Sequence, residues 1–308
     1  MTAMGPHQSI ATESARDQFT AQVFDELWHE YRRRVQYVAD YEQVVASHNA
    51  TFFNDHIAFR TIASQNPTTG IASLSRIFEA LGYQPAGVYQ FPDKHLSAVH
   101  FQHPHPQFPK LFISELRSWE LSPATCQMLE SYLANHRPAL PLSKLQQLSQ
   151  LNDNSTNRGQ LLDEVVATIR ELPWGSPATE DVQQINSESQ YAAWVLVHGY
   201  NVNHFTALIN SHGVEELNTI DKTVAAMQVA GIPMKADVEG APGSKLRQTA
   251  TQAVVIDVPV KGDATMEWTY AYFELAERGT VEVDGNQVRF EGFLGPQATQ
   301  LFEMTKKS

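Results

Sequence analysis

Apolar residues in the first fifty positions recur every three or four: Phe19, Val23, Phe24, Leu27, Tyr31, Val35 and Val38 fall on one stripe. That spacing predicts a helical lead-in over residues 13–50 that buries one face. From residue 51 the period changes. "FFNDHIAFRTI" (52–62) alternates, "IASLSRIFEALG" (71–82) returns to helical spacing, and "YQPAGVYQF", "HLSAVHFQ" and "PKLFISELRS" alternate again up to residue 118. Residues 51–120 therefore read as a βαβββ module.

Residues 121–190 follow a different pattern. Ser122-Pro123 and Ser176-Pro177 each place an N-cap residue before a proline at the first helical position, and "QLLDEVVATIREL" is amphipathic. A helical insertion is expected here, with its flexible loop at "LNDNSTNRG" (151–159). It has the length to be a lid or the surface of a homo-oligomer.

Over 191–308 the first pattern returns. "YNVNHFTALI" alternates around a histidine, "VEELNTIDKTVAAMQVAG" is helical, and "SKLRQTATQAVVIDV" and "EWTYAYFELAERG" read as two long strands. His56 lies 26 residues before the helix-ending Gly82, and His204 lies 27 before Gly231, as an internal duplication requires. "LGYQPAG" answers "AGIPMKA", and "LFISELR" answers "YAYFELAER"; the interval grows from 59 residues (His56 to Glu115) to 70 (His204 to Glu274), which a longer hairpin loop would absorb. The expected architecture is a single α+β domain over 1–308, with paired βαβββ modules curled around a shared cleft.

A chain of 308 residues, 42% hydrophobic, can bury a substantial core. Its net charge of −12, with no basic block beyond Arg32-Arg33-Arg34, argues against nucleic acid or an anionic membrane as partner. No apolar run approaches the ~20 residues of a membrane span, and the N-terminus lacks the basic start and apolar core of a secretory signal. Cys126 is the only cysteine, so a reducing, cytoplasmic location is expected. GxGxxG, P-loop, GxSxG and HExxH motifs are all missing, which removes the Rossmann, kinase-like, serine-hydrolase and zincin readings.

The chemistry must then come from polar residues on strands. In "NDHIAFRT" the alternation puts His56 and Arg60 on one side and Ile57 and Phe59 on the other. His204 holds the equivalent place in the second module, and Glu274 lies on its last strand. Two imidazoles and one carboxylate are the set that holds Fe(II) and leaves positions open for a chelating substrate and dioxygen; Mn, Co or Zn could occupy the same donors. Arg60, about 13 Å along the strand from His56, can grip a carboxylate through paired hydrogen bonds, which implies an acidic substrate.

Other candidates compete. Glu274 is preferred to Glu277 on strand phase, although an edge strand could invert it, and Glu115 reads as a surface charge or a partner for Arg117. His100, His103 and His105 in "VHFQHPHP" sit among prolines and read as a structural or exposed hairpin loop. His198 shares parity with His204, but Gly199 breaks the phase, leaving it at most a supporting residue.

Six ordered stretches, "NDHIAFRT", "FPDKHLSAVHF", "PKLFISEL", "VNHFT", "RQTAT" and "EGFLGPQATQLFE", resemble the DUF1338 family of 2-oxoadipate dioxygenase/decarboxylases over about residues 20–305. The resemblance implies a vicinal oxygen chelate (glyoxalase-like) fold, with His56, His204 and Glu274 as metal ligands and Arg60 as the substrate-binding arginine. It further implies Fe(II) as cofactor and conversion of 2-oxoadipate and O₂ to 2-hydroxyglutarate and CO₂, a step of lysine catabolism. Pro296-Gln297 stand where longer members have a Val-Ser pair, so the 2-oxoacid taken is left open, with Gln297 able to donate to a carboxylate. A glyoxalase-type lyase or isomerase would use the same metal ligands without O₂, and a non-catalytic dicarboxylate-binding protein would need only the cleft.

Overall fold

The computed structural model describes residues 5–137 and 140–295. The chain opens with α1 (Ala15–Arg34) and α2 (Tyr37–Ser47). Ser14 caps α1 by accepting the Asp17 N–H at 3.0 Å, and the stripe of Phe19, Val23, Phe24, Leu27 and Tyr31 is buried. The first module follows as β1 (Asn54–Ala63), α3 (Ile71–Ala80), β2 (Gln84–Phe91), β3 (Leu96–Gln102) and β4 (Lys110–Arg117).

Five helices follow: α4 (Pro123–Leu133), α5 (Leu142–Ser149), α6 (Arg158–Arg170), α7 (Thr179–Glu188) and α8 (Gln190–His198). Ser122 caps α4 as its sequence implies, through the Thr125 N–H at 3.3 Å. Ser176-Pro177 does not open a helix: α7 starts at Thr179, and the Pro177 carbonyl instead accepts the Lys261 N–H at 2.9 Å. Residues 190–198 form a helix, and the second module's first strand begins only at Val202. Residues 191–198 are buried throughout, so α8 carries no polar face to reveal its period.

The second module comprises β5 (Val202–Leu208), α9 (Ile220–Val229), β6 (Leu246–Ala250), β7 (Val255–Val260), β8 (Ala264–Thr269) and β9 (Glu274–Arg278). A hairpin of β10 (Thr280–Val283) and β11 (Asn286–Arg289) follows, which alternation did not single out. Each of the two expected long strands is broken in two. Carbonyls in the second break are taken by side chains: His198 Nε2 donates to the Thr269 carbonyl at 2.9 Å, Trp194 Nε1 to that of Tyr270 at 2.6 Å, and the Tyr31 hydroxyl to that of Tyr272. The chain bends there, and β7 and β8 pair as a separate ribbon.

One seven-stranded sheet unites the modules in the order β2-β3-β4-β1-β5-β9-β6. β1 and β5 meet antiparallel at its centre, and each has its own module's last strand parallel on its other side. This is the arrangement of a duplicated unit about a pseudo-two-fold axis. Among the described residues the second module has no full counterpart of β2, only isolated bridges at Met234–Thr251 and Glu239–Gln248.

Candidate metal centre

The central β1–β5 pairing places the two histidines face to face. Ala58 pairs with His204 and His56 with Thr206, and the two Nε2 atoms lie 3.3 Å apart. Glu274, first residue of β9, lies opposite Thr206 and brings its carboxylate to 3.5 Å from His56 Nε2 and 3.3 Å from His204 Nε2. One donor atom from each of the three side chains falls within 4.8 Å of the others.

Two irregularities in the ladder orient the rings. From Asn54 to His56 β1 advances two residues while β5 advances one, so Asp55 is an extra residue; between Ala58 and Phe59 the extra residue is Asn203 on β5. A residue preceding a histidine in a regular strand points to the opposite face, but a bulge re-aims it. Asp55 Oδ2 accordingly lies 2.8 Å from His56 Nδ1, and Asn203 Oδ1 lies 3.0 Å from His204 Nδ1. With Nδ1–H donating to these oxygens, both Nε2 lone pairs point into the space beside Glu274.

Asp55 is fixed in turn by Arg278, whose Nε and Nη2 reach its two oxygens at 2.5 and 2.7 Å. Arg278 Nη1 donates to the carbonyls of Phe290 and Gly292, securing the segment that brings Phe293 against the His56 ring. Burial works to raise the Asp55 pKa, but the charges of Arg278 and Lys110 hold it well below the usual carboxylate range. Gln248 Nε2 donates to Glu274 Oε1 at 2.5 Å, while Glu274 Oε2 has no hydrogen-bond partner among the described residues.

The donor set fits a divalent ion. Burial, aided by the nearby Glu239 charge, pushes the Glu274 pKa well above its ordinary value. Burial likewise lowers His204 far below its usual value, and lowers His56 against the opposing pull of Asp55. Without an ion, one buried Glu274 oxygen has no hydrogen-bond partner among the described residues, the two Nε2 atoms face each other, and His56 Nε2 also lies 3.1 Å from the Thr206 hydroxyl. A dication satisfies all of them and reverses the electrostatic penalty on the carboxylate.

His56, Arg60, Ser114, His204, Gln248 and Phe293 help line one small cavity of about 30 Å³. Arg60 is 2% exposed, its guanidinium lying 5.2 Å from the Tyr191 ring centre and 5.1 Å from that of Trp194, both on α8. Burial lowers its pKa, while Tyr272 and Tyr191 act to raise it. Tyr191 is itself anchored, its hydroxyl 2.7 Å from Ser114 Oγ. Helix α8 thus backs Arg60, which itself lines the cavity.

A family model described as 2-oxoadipate dioxygenase/decarboxylase matches residues 21–304. The chain belongs to that family. It is 28% identical over 273 residues to the chloroplastic/amyloplastic 2-oxoadipate dioxygenase/decarboxylase of Oryza sativa subsp. japonica, covering 82% of this chain and 68% of the relative. The crystal structure of the Oryza sativa hydroxyglutarate synthase in complex with 2-oxoadipate superposes with a TM-score of 0.79 at 26% identity, covering 96% of this chain and 95% of that one. A glyoxalase superfamily protein from Ralstonia eutropha JMP134 shares the fold, with a TM-score of 0.75 at 22% identity over 89% of this chain and 86% of that one. The chain is an enzyme of the 2-oxoadipate dioxygenase/decarboxylase family built on a vicinal oxygen chelate-like scaffold.

The remaining acids and histidines sort by their contacts. Ala58 pairs with Phe112 as Thr206 pairs with Glu274, so the duplication makes Phe112 the counterpart of Glu274 and Glu115 that of Glu277. The matching of Glu115 with Glu274 is therefore corrected. Glu115 Oε2 accepts the Ile71 N–H at 2.9 Å and Glu277 Oε2 the Ile220 N–H at 2.7 Å, each satisfying the first turn of its module's helix. Gly70 is needed for this: a Cβ there would lie 2.5 Å from Glu115 Oε2, and its φ is +79°.

His100 is not in a loop but on β3. It is buried beside Phe293, its Nδ1 2.9 Å from the Tyr89 hydroxyl. His103 Nδ1 and Nε2 meet the His105 N–H and the region of the Leu81 carbonyl, a structural role. His198 serves the bend before β9. Gln297 lies outside the described residues.

Asp55, Asn203, Gln248, Arg278 and Phe293 were not among the residues expected at the site. A signal existed for two of them. Each histidine is preceded by a short acceptor, Asp55-His56 and Asn203-His204, at matching points of the repeat.

Proposed function

We propose that this enzyme binds Fe(II) through His56, His204 and Glu274 and uses O₂ to decarboxylate and hydroxylate a 2-oxo dicarboxylic acid, with 2-oxoadipate giving 2-hydroxyglutarate and CO₂. The supporting observation is the convergence of those three donors in a cavity that also holds Arg60. When bound, the iron would supply the O₂ chemistry and a place for the keto and carboxylate oxygens of the substrate. Phe112, where a fully symmetric pair of modules would offer a second acid, keeps the protein's contribution to three ligands and so favours this reading over a more closed metal site.

Arg60 would hold the distal carboxylate. Four strand residues span about 13 Å, and His56 and Arg60 both line the same cavity. Stacking between Tyr191 and Trp194 presets the guanidinium and reduces the ordering cost on binding. Phe112, Phe293 and Leu294 give the cavity an apolar lining that limits water around the reacting carbons. The reaction balances without a separate reductant, since one O₂ oxygen goes to the new carboxylate and the other to the new hydroxyl.

Such a reaction belongs to lysine catabolism, and the single Cys126 suits a reducing, cytoplasmic setting. Among the described residues no helix is long and apolar enough to cross a membrane.

The test is turnover of five- to seven-carbon 2-oxoacids, with Fe(II) under air, following O₂ uptake and identifying products. Stoichiometric O₂ and CO₂ with 2-hydroxyglutarate from 2-oxoadipate is the expected result. Product formation without O₂ uptake would replace this reading with a glyoxalase-type lyase or isomerase, and binding without turnover would replace it with a dicarboxylate-binding protein.

A further inference from the structure

The two bulge residues that orient the histidines differ, and the difference follows the cavity. Asp55 has both oxygens occupied, by Arg278 and His56 Nδ1, and it does not line the cavity. Asn203 does line it, and only one end of its amide is engaged. Oδ1 meets His204 Nδ1 at 3.0 Å, whereas Nδ2 has no hydrogen-bond partner among the described residues, although the residue is only 2% exposed.

The amide's orientation is set by chemistry. His204 can bind an ion through Nε2 only as the Nδ1–H tautomer, so the oxygen must face the ring and the NH₂ end remains available. A buried donor left without an acceptor is unfavourable, and an anionic ligand in the cavity would satisfy it.

Charge explains why position 203 carries an amide and position 55 an acid. Arg278 on β9 reaches across the axis to Asp55, and its counterpart on β4, by the pairing that equates Phe112 with Glu274, is Leu116. An aspartate at 203 would therefore lack the neutralising arginine and would confront an anionic substrate directly.

We propose, building on the metal centre above, that Asn203 holds His204 with its oxygen and donates from Nδ2 to an oxygen of the 2-oxoacid, so that it both positions a metal ligand and selects for an anionic substrate. Asn203→Asp preserves the acceptor and removes the donor; Asn203→Ala removes both. For Asn203→Asp, Co(II) affinity should stay within about threefold of the parent, whereas 2-oxoadipate binding to the Co(II)-loaded protein without O₂ weakens about ten- to hundredfold. For Asn203→Ala, Co(II) affinity itself should fall about ten- to hundredfold.

Parent-like 2-oxoadipate binding by Asn203→Asp overturns the donor role, and parent-like Co(II) binding by Asn203→Ala overturns the positioning role. A parent protein that binds no divalent metal defeats the metal-centre reading itself, a separate outcome. Should either variant fail to fold, the Asn203 side-chain amide resonance of the Zn(II)-loaded parent must shift on adding 2-oxoadipate, and an unchanged resonance overturns the donor role.

Discussion

Phe112 and Glu274 occupy the same place in the two halves of the sheet, one opposite Ala58 and the other opposite Thr206. The duplication thus delivers histidines from both modules but a carboxylate from only one. The resulting asymmetry gives three candidate protein donors instead of four, so an ion held there would keep positions for small molecules.

Phe112→Glu should accordingly supply a fourth ligand. We expect divalent-metal affinity equal to or above that of the parent, with turnover reduced about tenfold or more as an open position is lost. Metal titration beside O₂ uptake checks this, and undiminished turnover in a metal-loaded variant would show that position 112 does not reach the ion.

Arg60→Ala should keep the metal and lose about 2–5 kcal/mol of substrate binding, the range for removing one partner of a desolvated charge pair. The comparison is between metal titration and kcat/KM for 2-oxoadipate. Near-parental kinetics would remove Arg60 from the substrate site.

The Asp55–Arg278 pair is almost wholly buried, its side chains 1% and 0% exposed. Arg278→Met should destabilise the protein by about 3–5 kcal/mol, because it leaves a buried carboxylate unpaired. Adding Asp55→Asn should recover much of that loss in urea denaturation. Additive losses in the double variant would contradict a direct coupling.

His198 is buried and its pKa is lowered to about 3, chiefly by burial. The unfolded chain takes up this proton near pH 6.5 while the folded chain resists it, so the contribution to stability falls as pH drops below that value. Between pH 7 and 5 the expected loss is about 2 kcal/mol. His198→Gln can still donate to the Thr269 carbonyl and should flatten this part of the profile. Denaturation midpoints at the two pH values decide the matter, and an unchanged slope would mean that His198 does not carry the effect.

Legibility tracked the range of the interaction. Strands β2 and β3 and helix α3 appear in the sequence because buried and more exposed positions alternate along them, and β1, buried throughout, because polar His56 and Arg60 alternate with apolar Ile57 and Phe59. Helix α8 lost that signal when its whole surface became core. The strand pair through residues 246–278 read as continuous because the alternation persists, whereas the second break depends on donors from Tyr31, Trp194 and His198, distant in sequence from the carbonyls they satisfy.

The chain by itself determined the two modules, the paired histidines and Arg60 on the face of its strand, since these follow from side-chain alternation and from duplication. Strand phase already favoured Glu274 over Glu277, and the register of β9 on β5 brings its carboxylate to the two imidazoles. Tertiary structure also decided that Asp55 and Asn203 turn toward the rings, through bulges that exist only once β1 and β5 pair. Both are properties of contacts between segments, to which no local periodicity corresponds.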